Sequence, residues 1–108
     1  FQMKTATEAW AREGRDKKPY FQVACWYALG ADADAGGAQI VDYPSRYLRF
    51  LGPNAHNQIG PMVRARSPEA LLTIIGELED MGVDELLLVP TSVALDQIER
   101  VADLIARR

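Results

Sequence analysis

Cys25 and His56 are each the single residue of their type in a chain of 108 residues, and that limits what either can do. One thiol forms no internal disulfide. Cys25 lies midway along an apolar run with no cationic neighbour in sequence, so it reads as a buried structural thiol rather than an activated nucleophile. His56 sits in a polar loop with no partner at ligand spacing. One imidazole makes no metal site, and it reads as a surface residue. The acids Asp32 and Asp34, and Glu77, Glu79 and Asp80, read as solvated charge at helix ends rather than as paired catalytic carboxylates. The stretch GADADAGG (Gly30 to Gly37) contains glycine and aspartate but lacks the order of a phosphate-binding or calcium loop.

The elements that would position these groups are clearer. Thr5-Ala-Thr-Glu8 matches a capping box, predicting a helix to about Glu13 with Gly14 as its stop and Ala6, Ala9 and Trp10 inward. YFQVACWYAL (Tyr20 to Leu29) is aromatic and β-branched, bounded by Pro19 and Gly30, and predicts a strand covered on both faces. Asp32 or Asp34 could cap a helix, weakened by Gly36-Gly37. Residues 38–51 carry roughly helical apolar spacing, with Pro44 as a break or kink and Gly52-Pro53 as the end. Residues 54–66 read as a loop or a short helical turn. Ser67-Pro68-Glu69 opens a helix with Leu71, Leu72, Ile75, Leu78 and Met81 as its apolar stripe, closed by Gly82. Val83 to Val89 is a second strand. Thr91 or Ser92 would cap a last helix with Leu95, Ile98, Val101, Ala102 and Ile105 inward.

The composition is that of one globular domain: 48% hydrophobic, 25% charged, net charge -3. No basic run suggests a nucleic-acid groove or an anionic membrane surface. No apolar run approaches the roughly 18 residues of a membrane span. A single cysteine points to a reducing cytoplasm. Phe1-Gln2 before Met3 reads as the remnant of a cleavage tag, leaving residues 3–108 as one domain. Two strands joined by a crossover of about 50 residues imply parallel pairing and an α/β class. Two strands alone rarely make a stable covered sheet.

Three segments taken together resemble the C-terminal part of the luciferase-like monooxygenase family, the flavin- and deazaflavin-dependent barrel oxidoreductases. They are WxxEGRDKKPYFQVACWYALG (from Trp10), YLRFLGP (from Tyr47) and SPEALLTIIGELEDMGVDELLLVPTSVALDQIERVADLI (from Ser67). The resemblance implies that the two strands are the seventh and eighth of a (β/α)8 TIM barrel, a fold of about 250 residues. The missing strands would then belong to a preceding part, or several copies would cover the sheet between them. A homo-oligomer is therefore expected, since two apolar strands cannot both keep open edges.

The resemblance also places a site at the C-terminal ends of the strands. Trp26 and Tyr27 could wall the ring of FMN or a deazaflavin, and Thr91 and Ser92, at a helix N-terminus, could contact a phosphate. Read from the residues alone, these four are two core aromatics and two caps. The family's Gly-rich phosphate loop has no counterpart here, and no catalytic residue carries over. The expected function is thus a C-terminal fragment of a flavin-dependent oxidoreductase, inactive by itself. The competing expectations are a stand-alone homo-oligomeric interaction protein derived from that fold, or a ligand-binding module with a flavin pocket between subunits.

Overall fold

The ladder between the strands is anchored at its first residues. Phe21 donates its N–H to Asp84 Oδ2 at 2.7 Å, and the Phe21 carbonyl accepts from the N–H groups of Asp84 and Glu85. From there Gln22–Tyr27 (β1) and Glu85–Pro90 (β2) run parallel in a two-stranded sheet, with Val23 beside Leu86, Cys25 beside Leu88 and Tyr27 beside Pro90. The computed structural model of the chain describes residues 2–54, 57 and 59–108, the side chain of Ala33 excepted. His56 lies outside the described residues. Among them are four α-helices, Gln2–Arg12 (α1), Ala33–Tyr47 (α2), Pro68–Asp80 (α3) and Asp96–Ala106 (α4), and the class is mixed α/β.

Side chains alternate across a strand, so the two faces can be separated by register. Cys25, Leu86 and Leu88 pack against the core, and Tyr27 on the same face is fully buried. That core is built mainly from Leu71, Ile74 and Ile75 of α3 and Val101 and Leu104 of α4, with Ile40, Ile59 and Val63. The opposite face carries Gln22, Ala24, Trp26, Glu85, Leu87 and Val89. Gln22 and Ala24 are exposed and Leu87 is 43% exposed. The expectation that both faces of β1 are covered is thereby corrected: among the described residues helices cover one face, and the other is met only at Trp26, by α2. β1 is also shorter than Tyr20 to Leu29. Ala28 leaves the ladder to donate its N–H to Ala65 O at 2.9 Å.

Other boundaries moved for local reasons. α1 begins at Gln2, inside the segment read as a tag remnant, so Thr5 lies within the helix and is not its cap. Thr7 Oγ1 donates to Met3 O at 2.8 Å. Ala6, Ala9 and Trp10 are half-buried on the less exposed side of α1, although no residue of the helix is fully buried. Trp10 also receives the Arg15 guanidinium 4.2 Å from its ring centre. α2 begins about five residues before the predicted helical run, because Asp32 Oδ1 accepts from Ala35 N at 2.8 Å and closes the first turn despite Gly36-Gly37. Pro44 is carried inside it. α3 follows its sequence signals: Ser67 Oγ accepts from Ala70 N, Pro68 stands at the first helical position, and Gly82 follows with φ +86°. Met81 is exposed and Ile74 is buried, against the predicted stripe.

The largest departure is α4. Neither Thr91 nor Ser92 caps it; Leu95 precedes it with no side-chain cap bond. Its buried residues are Gln97, Val101 and Leu104, whereas Leu95 is 81% and Ile98 51% exposed.

The molecule is open. Its radius of gyration is 16.1 Å, against about 13 Å for a compact chain of this length. It exposes 7680 Å² of surface where a compact protein of 12.0 kDa exposes about 6,000 Å². No described helix is long and apolar enough to cross a membrane.

Candidate functional site

Trp26, next to last in β1, lies on the face away from the main core, and α2 supplies its neighbours. Tyr43 and Tyr47 are one helical turn apart, so both rings project from one side of α2. They meet Trp26 edge-on, with centroids 6.2 and 5.5 Å away, and stack on each other at 6.4 Å and 14°. Such geometries suit the ring quadrupoles and contribute about 0.5–1.5 kcal/mol per pair beyond area burial. The aromatic corner opens onto a cleft of about 630 Å³, closed on its other sides by Cys25, Pro61, Met62, Arg64 and by Ile74 and Leu78 of α3. The volume is that of a small-molecule site, and its walls are mostly apolar.

The one strong charge on the rim is neutralised. Arg64 Nη2 donates to both carboxylate oxygens of Glu77 at 3.0 Å. That bond holds the Glu77 carboxyl below the usual glutamate range. A depressed carboxyl pKa contributes stability that is present above its unfolded value and lost as pH falls through the folded one. Acidification below the ordinary glutamate range is therefore expected to release Arg64, with little effect on global stability because both groups are about half exposed. The Arg64 side-chain NMR signal should shift on acid titration, and in Glu77→Gln that titration should vanish. A signal that titrates identically in Glu77→Gln assigns the release to another group. Cys25 faces the same cleft wall, and burial pushes its thiol pKa up while the Arg64 charge pulls it down. It remains a half-buried free thiol.

Of the four residues singled out in sequence for a cofactor, only Trp26 lines this cleft. Tyr27 is fully buried and donates its hydroxyl to the Gln97 carbonyl at 3.0 Å. Burial pushes its phenol pKa up. Thr91 is buried too; its Oγ1 donates to Tyr27 O at 2.9 Å and accepts from Gln39 Nε2 at 3.2 Å. Ser92 Oγ accepts from Ala94 N at 3.1 Å, a local turn rather than a helix cap. The structure thus brings Tyr27 and Thr91 together, but as a core hydrogen-bond network behind the strand ends. Tyr43, Tyr47 and Arg64 were not read as site residues, although the spacing of the two tyrosines on one helix was a usable signal.

The cleft presents the Trp26, Tyr43 and Tyr47 rings along one wall. It does not offer a phosphate cradle: Asp32 occupies the Ala35 amide at the head of α2, and Arg64 is held by Glu77. Among the described residues no group of His, Cys, Asp and Glu could hold a metal ion. No family model, curated protein or solved structure matches the chain.

Proposed function

We propose that the chain is the C-terminal part of a luciferase-like, flavin- or deazaflavin-dependent oxidoreductase, with β1 and β2 as the last two strands of a (β/α)8 barrel. The observation that carries this reading is the aromatic corner of Trp26, Tyr43 and Tyr47 at the C-terminal end of β1, the end at which barrels build their sites. The open face bearing Ala24 and Leu87 supports it, since a barrel turns that face inward. In this reading the corner walls the isoalloxazine or deazaflavin ring, and the phosphate tail is held elsewhere. The redox step is the cofactor's own chemistry, and no residue of this chain is assigned to it. Alone, the chain binds the ring without turnover. A cytoplasmic location belongs to the same proposal, in keeping with one unpaired thiol.

The second reading is a stand-alone homo-oligomeric protein derived from that fold. The open shape and the surplus of exposed surface favour it.

The test is titration of FMN and of a deazaflavin cofactor into the protein, followed by quenching of cofactor fluorescence. Saturable quenching is expected, weakened about tenfold or more in Trp26→Ala, the equivalent of one lost stacking contact. No saturable quenching with either cofactor, or equal affinity in Trp26→Ala, removes the flavin reading.

A further inference from the structure

α4 is apolar over about three times the arc that its own chain covers. At 3.6 residues per turn, Leu104, Val101, Ile105, Ile98, Ala102 and Leu95 span about half the circumference. Val101 and Leu104 are buried; Ile98, Ile105 and Leu95 are not. The uncovered stripe has the 3-4-3 spacing of Leu95, Ile98, Ala102 and Ile105 that a second helix packs against. On the helical wheel it lies opposite Arg100, Leu104 and Arg107, which with Pro68 at the head of α3 line a narrow cleft. Leu29 and Gly30, beyond the end of β1, line the same cleft, so the stripe points away from α3 and from β1, toward the β2 side of the sheet.

That space also borders a free strand edge. Among the described residues the sheet ends at β2. Glu85 N donates to Phe21 O and Thr91 N to Tyr27 O, each 3.1 Å long. Alternation then turns the backbone groups of Glu85, Leu87 and Val89 toward β1, and those of Leu86, Leu88 and Pro90 outward. Pro90 has no N–H, as suits an outer edge. Leu86 and Leu88 keep theirs.

We propose that a second copy of this chain docks on this side, about a two-fold axis perpendicular to the sheet. The axis sets β2 antiparallel to the partner's β2 and α4 antiparallel to the partner's α4, so one operation covers both the free edge and the free stripe. The register in which Leu86 and Leu88 exchange hydrogen bonds across the axis centres on Leu87, and it brings the two exposed Leu87 side chains together. The result is a four-stranded sheet, β1-β2-β2-β1, with a continuous helical layer on one face. Charge favours this orientation: Asp96 and Glu99 stand in the first turn of α4, Arg107 and Arg108 follow its end, and antiparallel packing sets unlike ends side by side. The surface surplus of about 1,700 Å² is twice the roughly 800 Å² that each partner contributes to a standard interface. This rests on the second, stand-alone homo-oligomeric reading, since a closed barrel would pair the outer edge of β2 with its first strand; the flavin-side cleft lies on the β1 side.

The experiment is size-exclusion chromatography with light scattering on the intact chain at about 100 µM, with hydrogen exchange on the same samples. A mass twice the 12.0 kDa of one chain is expected. Ile98→Glu should raise the dimer dissociation constant by about 100-fold or more. In that variant the Leu86 and Leu88 amides should lose protection while the buried Leu29 amide keeps it, which separates lost docking from lost folding. Met62→Glu, on the flavin-side cleft, should leave the dimer intact. An unmodified chain of single mass, a dimer indifferent to Ile98→Glu, or one dissociated by Met62→Glu overturns the proposal.

Discussion

Gln97→Leu is expected to destabilise the fold by about 3 kcal/mol, although it replaces a polar residue with an apolar one in the core. Gln97 is 3% exposed, and its amide closes a ring with one backbone residue. Oε1 accepts from Leu29 N and Nε2 donates to Leu29 O, both at 2.9 Å. Leu29 lies beyond the ladder, where neither group has a strand partner to replace the side chain. Leucine fills the same volume but leaves the Leu29 N–H buried and unbonded, at about 1–3 kcal/mol, with a further bond lost at the carbonyl. Arg100 Nη1 also donates to Leu29 O at 3.0 Å, so that carbonyl is not left bare. The effect therefore falls mainly on the N–H. Urea unfolding of the two proteins would show a lower midpoint with an unchanged slope. A loss below about 0.5 kcal/mol would mean that water reaches Leu29 and that the ring is not a closed unit.

Gln97 also shows why part of this fold was not legible in sequence. Strong local signals survived: Ser67-Pro68 opened α3 where expected, and Val83 to Val89 overlaps β2. Those signals concern the chain's own hydrogen bonds within a few residues. The α4 face concerns which neighbour is present. Leu95, Ile98 and Ile105 look like core because something apolar should cover them, but the residues of this chain cover the Gln97 side instead. A buried glutamine has no hydrophobic period; its worth lies in Leu29, 68 positions away. The site was half legible for a reason that alternation makes plain. Trp26 and Tyr27 are adjacent in a strand, and Tyr27 turns into the core, where it is fully buried with its hydroxyl on the Gln97 carbonyl, so it cannot wall the ring beside Trp26. The companions of Trp26 had to come from another element. Tyr43 and Tyr47 were at hand, a helical turn apart, but Pro44 between them signalled a break that α2 does not make.

The tightest seat of a glycine among the described residues leads to the second prediction, a reversal of sign between neighbouring glycines. An alanine in a helix normally gains up to about 1 kcal/mol over glycine. At Gly36 there is no room for it. A Cβ there would lie far inside contact distance of Arg66 O and 3.0 Å from Ala28 O, and both are backbone atoms that cannot swing aside. They belong to the junction where Ala28 N donates to Ala65 O, which ties the end of β1 to the crossover. Gly36→Ala must push α2 off that junction, at about 2–3 kcal/mol net of the propensity gain. It would also move the base of the helix that carries Tyr43 and Tyr47. At Gly37 the Cβ would meet only the far end of the Arg66 side chain, at 3.4 Å, and at Gly76 in α3 it would meet nothing within 4 Å. Gly37→Ala and Gly76→Ala should therefore each stabilise the protein by up to about 1 kcal/mol. All three are measured by the same urea midpoint. If Gly36→Ala stabilises as its neighbour does, α2 is not seated on the Arg66 and Ala28 carbonyls, and the aromatic corner is not held by that contact. If it destabilises while Gly37→Ala stabilises, helix propensity is excluded as the cause, and the seat of α2 on the end of β1 is what sets the distance between Trp26 and its two tyrosines.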